Sequence, residues 1–207
     1  MMRRFRHLSV TLLAAFGVAA TATSAASATE FTSASSPVAF HAVQSEAEPL
    51  VLRFDGYEVV CQVATFSGEV STPTTSVTIT PKYSEVCNSG FGYKVTMNGC
   101  DYLLHLPAIG NSATVDLVCP AGKDVTLEIG GGVCTVHIPP FTGKGSVTLT
   151  NNGNHISAKP AISGITMSLT DDGGIFCIYP PGGTHVTNGT LSGGAMTIIG
   201  NSAISVD

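Results

Sequence analysis

The chain reads as an all-β, disulfide-stabilised protein with an antiparallel β-sandwich or barrel-like fold, and three observations carry that reading. Its 207 residues are rich in Gly, Thr, Val, Ile and Ser, with 23 glycines and no tryptophan. After residue 28, short runs of alternating apolar and polar residues recur between Gly, Asn, Asp and Pro, and no stretch combines a helical period with caps. Six cysteines, Cys61, Cys87, Cys100, Cys119, Cys134 and Cys177, all follow an export-type leader. An even cysteine count behind such a leader points to a disulfide framework, because disulfides persist in oxidising compartments.

Residues 1–28 have the anatomy of a signal peptide. Arg3, Arg4 and Arg6 form a basic start, Leu8 to Ala20 an apolar stretch, and Ala26-Ser27-Ala28 a small-residue end. Cleavage is expected after Ala28, leaving a mature chain that is secreted and has no membrane span, since the apolar run falls short of the ~20 residues a spanning helix needs. Of nine basic and fourteen acidic residues, the three leader arginines depart, which leaves a net charge of about −8. The remaining lysines are scattered, whereas phosphate recognition needs clustered Lys and Arg, so no nucleic-acid partner is expected and an anionic membrane is a poor candidate.

Along the mature chain, residues 29–49 read as a polar N-terminal arm or an edge strand, and residues 50–207 as the all-β domain. The clearest hairpin is Leu50–Phe54, Asp55-Gly56, Tyr57–Phe66, because an Asp-Gly pair supplies the two positive-φ positions of a tight turn. In its second strand Tyr57, Val59, Cys61 and Val63 share a face. Strands follow at Ser76–Thr80, Tyr93–Met97, Asp101–Leu106, Ala113–Cys119, Asp124–Ile129 and Val133–Ile138. Others lie at Ser146–Thr150, Gly164–Leu169, Ile175–Tyr179, Ala195–Ile199 and Ala203–Val206. Short strands with turn signals every ~8–12 residues suggest a sandwich or barrel. Asn151-Asn152-Gly153-Asn154 marks a possible seam near 151–160, with Cys177 alone among the cysteines beyond it.

Strand register ranks the cysteine pairings. If Asp101–Leu106 and Ala113–Cys119 form a hairpin around Pro107–Ser112, residues whose numbers sum to about 219 face each other, which sets Cys100 opposite Cys119. Cys100–Cys119 is therefore the favoured pair, with Cys61–Cys87 and Cys134–Cys177 as the simplest sequential remainder. Metal and redox roles fit poorly. No C-x-x-C occurs, and zinc ribbons and thioredoxin-like sites both need closely spaced cysteines.

No catalytic, cofactor-binding or metal-ligating set stands out. The G-x-S-x-G elbow is absent, and Ser192-Gly193-Gly194 lacks the acid that precedes the serine of trypsin-like proteases, with Leu191 in its place. The mature histidines His41, His105, His137, His155 and His185 do not pair at metal-ligand spacing. Asp171-Asp172-Gly173-Gly174 lacks the spaced acids of a calcium loop and reads as a turn. Asp101 and Asp116 would be neighbours in the hairpin, a hint of paired carboxylates for which Asp on a solvated strand face is the ordinary explanation. Asn188-Gly189-Thr190 matches the N-glycosylation pattern, relevant only in a eukaryotic pathway, and Asn-Gly is also a turn. Without tryptophan, Tyr57, Tyr83, Tyr93, Tyr102 and Tyr179 are the available sugar-stacking platforms.

Cys61 followed by Ala64-Thr65-Phe66-Ser67-Gly68, Pro81-Lys82-Tyr83 before Cys87, Asn98-Gly99-Cys100, Cys119-Pro120-Ala121-Gly122-Lys123 and Cys134-Thr135-Val136 resemble uncharacterised small secreted, β-rich, cysteine-containing proteins of actinobacteria. The resemblance spans about Cys61 to Cys177 and implies a bacterial exported protein, with no activity to carry over. The expected function is a non-enzymatic extracellular binding or interaction module whose partner is an extracellular protein or glycan. Loops Pro107–Ser112, Ile138–Lys144 and Pro180–Asn188 would carry its specificity. The alternatives are a secreted hydrolase with a dispersed site and a structural envelope or matrix protein.

Overall fold

The computed structural model describes residues 29–84, 87, 92–171, 177 and 184–207. The expected leader, residues 1–28, lies outside the described residues, as does the expected strand Ile175–Tyr179 apart from Cys177, which is not in a strand. Among the described residues there is no helix, and every named strand pairing is antiparallel. The chain runs β1 (Phe31–Ser33), β2 (Val38–Gln44), β3 (Leu50–Phe54), β4 (Tyr57–Cys61), β5 (Ala64–Val70), β6 (Ser76–Tyr83), β7 (Lys94–Thr96) and β8 (Asp101–His105). It continues through β9 (Ser112–Val118), β10 (Val125–Ile129), β11 (Cys134–Ile138), β12 (Phe141–Asn152), β13 (His155–Asp171), β14 (Thr184–Gly193), β15 (Met196–Gly200) and β16 (Ile204–Val206).

Eight strands close a barrel in the order β2-β5-β6-β8-β9-β12-β13-β15, with β15 returning to β2. The alternation of β2 shows how: Val38, Phe40, Ala42 and Gln44 point inward while Ala39, His41 and Val43 face out. A second sheet runs β7-β10-β11-β13-β14-β3-β4, and β1 pairs with β16 separately. The seventeen-residue strand β13 belongs to both sheets. Its register slips between Ser163 and Ile165, where Gly164 takes a φ of 66°. Such a bulge bends the strand. Residues up to Ala161 pair with β12 and β15 in the barrel, and residues from Ala161 onward, through the bulge, pair with β14 and then also β11 in the second sheet. One apolar cluster, from Phe40 and Leu149 in the barrel to Val136 and Leu169 in the second sheet, fills both.

Several boundaries differ from the sequence expectation, each for a non-local reason. Residues 29–49 divide: β1 pairs with β16 alone, in a separate two-stranded sheet, whereas β2 sits inside the barrel between β5 and β15. Tyr57–Phe66 is not one strand. After Cys61 the chain leaves the second sheet, and Ala64 begins β5 in the barrel, so Val63 lies outside the strands with 51% of its surface exposed. The tract 151–160 is no seam: Gly153 and Asn154 turn β12 into β13, and Leu149, Ile156 and Ala158 on either side enter the same core. Thr184–Gly193, read as loop and turn, is a strand paired on both sides, with β13 and β3. The Asp55-Gly56 turn has φ of 41° and 83°, as a tight two-residue hairpin requires.

Candidate functional site

The six cysteines form three disulfides, Cys61–Cys87, Cys100–Cys119 and Cys134–Cys177, and no described cysteine is free. Three intramolecular disulfides are a usage typical of extracellular proteins. Their positions follow from the strands. In the β8–β9 hairpin Asp101 faces Val118 and Tyr102 faces Leu117, so Cys100 and Cys119 meet at its open end with their Cα atoms 4.1 Å apart. Cys61 ends β4 at one side of the second sheet, while Cys87 exchanges backbone hydrogen bonds with Tyr93 beside β7 at the other. Their bond therefore links the two margins of that sheet. Cys134 opens β11 opposite Asp171, and its bond ties down the β13–β14 connection that carries Cys177.

The polar residues weighed as catalytic are dispersed over the outer surface. On the barrel's outer face Asp101 and Asp116 are diagonal neighbours, but Asp116 is engaged elsewhere. Its Oδ2 lies 3.0 Å from His105 Nε2, and its Oδ1 accepts the Gly143 N–H at 2.6 Å. That contact ties the irregular β9–β12 junction to the β8–β9 hairpin. His137 Nδ1 lies 2.9 Å from Asp124 Oδ2 on the outside of the second sheet. Ser192 lies in β14 opposite Val51 and Ala161, where its Oγ accepts from Arg53 Nη1 at 3.5 Å. Asp171 ends β13 as a buried residue, and the rest of its Asp-Gly run lies outside the described residues. Asn188 is exposed on β14 opposite Thr166. Among the described residues no group of three or more His, Cys, Asp or Glu converges as a metal site, and no helix is long and apolar enough to cross a membrane.

The loops expected to carry specificity divide. Pro107–Ser112 connects β8 and β9 as expected and carries Ile109, 79% exposed and the most exposed large hydrophobic residue described. Ile138–Lys144 is strand apart from Pro139 and Pro140, because Ile138 ends β11 and Phe141–Lys144 begins β12, which pairs with β9. In Pro180–Asn188, the last five residues belong to β14, and the first four lie outside the described residues.

The interior holds what the sequence reading missed. All eight barrel strands contribute side chains to one cavity of about 50 Å³, among them Phe40, Phe66, Leu104 and Ile198. A second cavity of about 50 Å³ lies inside the second sheet, lined by Val59, Val95, Val125 and Ile165 among others. Leu50, Tyr83, Tyr102 and Leu191 line both. Between the cavities the Tyr83 and Tyr102 hydroxyls are hydrogen-bonded at 2.8 Å. Burial holds the Tyr83 phenol well above the ordinary tyrosine range, and the adjacent Tyr102 adds to the rise. Burial also raises Tyr102, against an opposing contribution from the hydrogen bond with Tyr83. An eight-stranded barrel is just wide enough for side chains to fill or to hold one small ligand. Here side chains take most of the space, since an apolar cavity able to hold benzene measures ~150 Å³. At ~24 cal/mol per Å³, each void forfeits about 1 kcal/mol of packing.

Strand alternation places Val77, Ile79, Pro81 and Tyr83 on one face and Tyr102 and Leu104 on another, which marks both tyrosines as core-facing. Their meeting depends on the β6–β8 pairing, which has no local signal. A third, open depression of about 280 Å³ is lined by Thr32, Ser33, Ser35, Ser36, Thr72 and neighbours. Its hydroxyls are largely engaged with one another: Ser33 and Ser35 both bond Ser202, and Ser36 Oγ accepts the Thr72 N–H.

No family model matches the chain, and neither does any curated protein or solved structure. Fold and interior together define a disulfide-braced β protein, built on a closed eight-stranded barrel with an apolar lumen.

Proposed function

We propose that this chain is a secreted, non-enzymatic binding or interaction module whose partner is an extracellular protein or glycan, presented on a rigid disulfide-braced scaffold. The observation that carries the reading is the lining of its concavities. The two interior cavities offer aliphatic and aromatic side chains with a single pair of phenols, and the outer depression offers Ser, Thr, Ala and Pro. General acid–base or nucleophilic chemistry needs a titratable side chain within hydrogen-bond reach of a bound substrate. The histidines paired with carboxylates sit on the outer faces instead. Export is supported by the leader and the disulfides, and membership of the small exported β-rich proteins of actinobacteria by the cysteine-flanking runs. The binding element is the Pro107–Ser112 loop, where Ile109 stands clear of the scaffold. Exposed apolar side chains on a loop held by a rigid hairpin are suited to recognition.

The test begins with expression of the full chain with its leader. The culture medium should contain a chain beginning at Thr29 with no free thiol. That material is then applied to a glycan array and a panel of extracellular proteins, beside the Ile109→Asp variant. Saturable binding lost in the variant supports the reading. Retention in the cytoplasm, free thiols, or turnover of a hydrolase substrate panel by the purified protein would overturn it.

A further inference from the structure

We infer that Asn152, at the tip of the β12–β13 hairpin, is a site of spontaneous deamidation whose product loosens the terminal strand β16. This goes beyond the recognition role proposed above and uses none of its residues.

An asparagine followed by glycine reacts with its own backbone, because glycine has no side chain to shield the attacking nitrogen. The Gly153 nitrogen attacks Asn152 Cγ, forming an N–Cγ bond as the Cγ–Nδ2 bond breaks. The displaced amide leaves as ammonia and carries away the Gly153 proton. Water then opens the succinimide at either carbonyl, giving an aspartyl or an isoaspartyl residue at position 152. Solvent is the only co-reactant.

The chain holds three Asn-Gly pairs, and the fold restrains two of them. Asn98 sits in a turn closed by the Cys100 N–H on the Met97 carbonyl. Its Nδ2 donates to the Asp124 carbonyl at 3.0 Å and to Thr126 Oγ1 at 3.4 Å. Swinging Cγ onto the Gly99 nitrogen breaks both bonds, which slows attack about 10–100-fold. Asn188 and Gly189 lie within β14, where Gly189 is buried and paired with both Ile165 and Phe54. Turning that peptide toward the side chain would break the ladder on two sides. Neither device holds Asn152. Residues 151–154 are all exposed, Gly153 takes a φ of 67°, and a Cβ there would meet nothing within 4 Å. The flanking segments stop short of the tip: the β8–β9 hairpin reaches β12 as far as Leu149, and β15 pairs with β13 from Ile156 onward. Asn152 faces His155 alone across the turn.

The preceding residue couples the reaction to β16. Asn151 Nδ2 donates to the Val206 carbonyl at 2.8 Å, and its Oδ1 accepts the Val206 N–H at 2.9 Å. An isoaspartyl residue threads the main chain through the former side chain and adds one methylene directly after Asn151. That extra length unseats the Asn151 amide from Val206, whereas a plain aspartyl residue leaves the backbone unchanged.

The disulfide-intact protein is incubated at mildly alkaline pH, digested, and mapped by mass spectrometry for conversion of amide to carboxylate at each Asn-Gly pair. Enzymatic methylation of isoaspartyl residues identifies the second product. Position 152 should convert at least about tenfold faster than positions 98 and 188, and the three rates should converge in the reduced chain in urea. Comparable rates in the folded protein, faster conversion at position 98 or 188, or an intact Asn152 where the unfolded chain reacts would each overturn the assignment. Amide exchange at Val206, read by NMR, should rise about 3–10-fold in the isoaspartyl fraction and stay at its original rate in Asn152→Asp. An unchanged rate in the isoaspartyl fraction, or an equal rise in both, overturns the coupling to β16.

Discussion

Replacing Cys134 and Cys177 together by alanine should be the most damaging removal of a disulfide from this protein. The bond closes a separation of 43 residues, against 26 for Cys61–Cys87 and 19 for Cys100–Cys119. In the chain-entropy model, closing a loop of that length restricts the unfolded chain by about 4 kcal/mol, compared with about 3.5 and 3.2 kcal/mol for the other two. Cys134 is fully buried, so truncating its sulfur adds a small packing loss in the same direction. The bond also restrains the β13–β14 connection, and β14 in turn supports β3 and β4. A total near 4–5 kcal/mol is a large share of the ~5–15 kcal/mol that holds an ordinary domain folded. Urea unfolding of the double variant, followed by tyrosine fluorescence, measures the loss. The midpoint should fall well below that of the Cys100→Ala, Cys119→Ala variant, and the slope should not decrease, because the released unfolded chain exposes at least as much surface. A loss under about 1 kcal/mol, or a larger loss for the Cys100–Cys119 removal, would refute the reasoning.

Three further outcomes follow from the packing and the titratable groups. Gly68 in β5 lies opposite Phe40, and a Cβ there would stand 2.5 Å from both the Phe40 ring and the Thr78 backbone oxygen, so Gly68→Ala should cost about 2–3 kcal/mol in chemical denaturation. Asp116→Ala removes the acceptor of the Gly143 N–H and the partner of His105, and should cost about 1–2 kcal/mol, with amide exchange at Gly143 rising well above that in Asp116→Asn, which keeps an acceptor oxygen. The titration of Tyr83 and Tyr102 should leave stability unchanged near neutral pH and lower it as pH rises past about 10. The sign follows because both folded phenols are held protonated above their unfolded value, so the unfolded state releases protons first. The Tyr83→Phe, Tyr102→Phe variant should flatten that alkaline fall in a thermal melt series, and an unchanged slope would show that the pair does not govern it.

How much was legible along the chain depended on whether the signal was local. The Asp55-Gly56 turn, the alternation of Asp101–Leu106 against Ala113–Cys119, and the hairpin register facing Tyr102 with Leu117 are contained in a few neighbouring residues, and a reader needs no partner strand to see them. Thr184–Gly193 was opaque because Thr, Asn and Gly read as turn chemistry in isolation. Gly189 is required there for another reason: a Cβ at that position would collide with the Met167 side chain from the neighbouring strand. Residues 29–49 looked peripheral for the same reason. The alternation of β2 is plain, but its partners β5 and β15 lie on opposite sides of most of the chain.

The all-β class and a cysteine set without any C-x-x-C spacing were properties of composition and spacing, available before any folding. Closure of the barrel, the bend of β13 at Gly164 that joins two sheets in one core, and the meeting of Tyr83 with Tyr102 were decided by tertiary structure. The physical reason is that a strand's period of two determines which side chains share a face. Which strand lies beside it depends on pairings between distant segments, here Gln44 with Met196 at the closure of the barrel, whose energy exists only once both are in place.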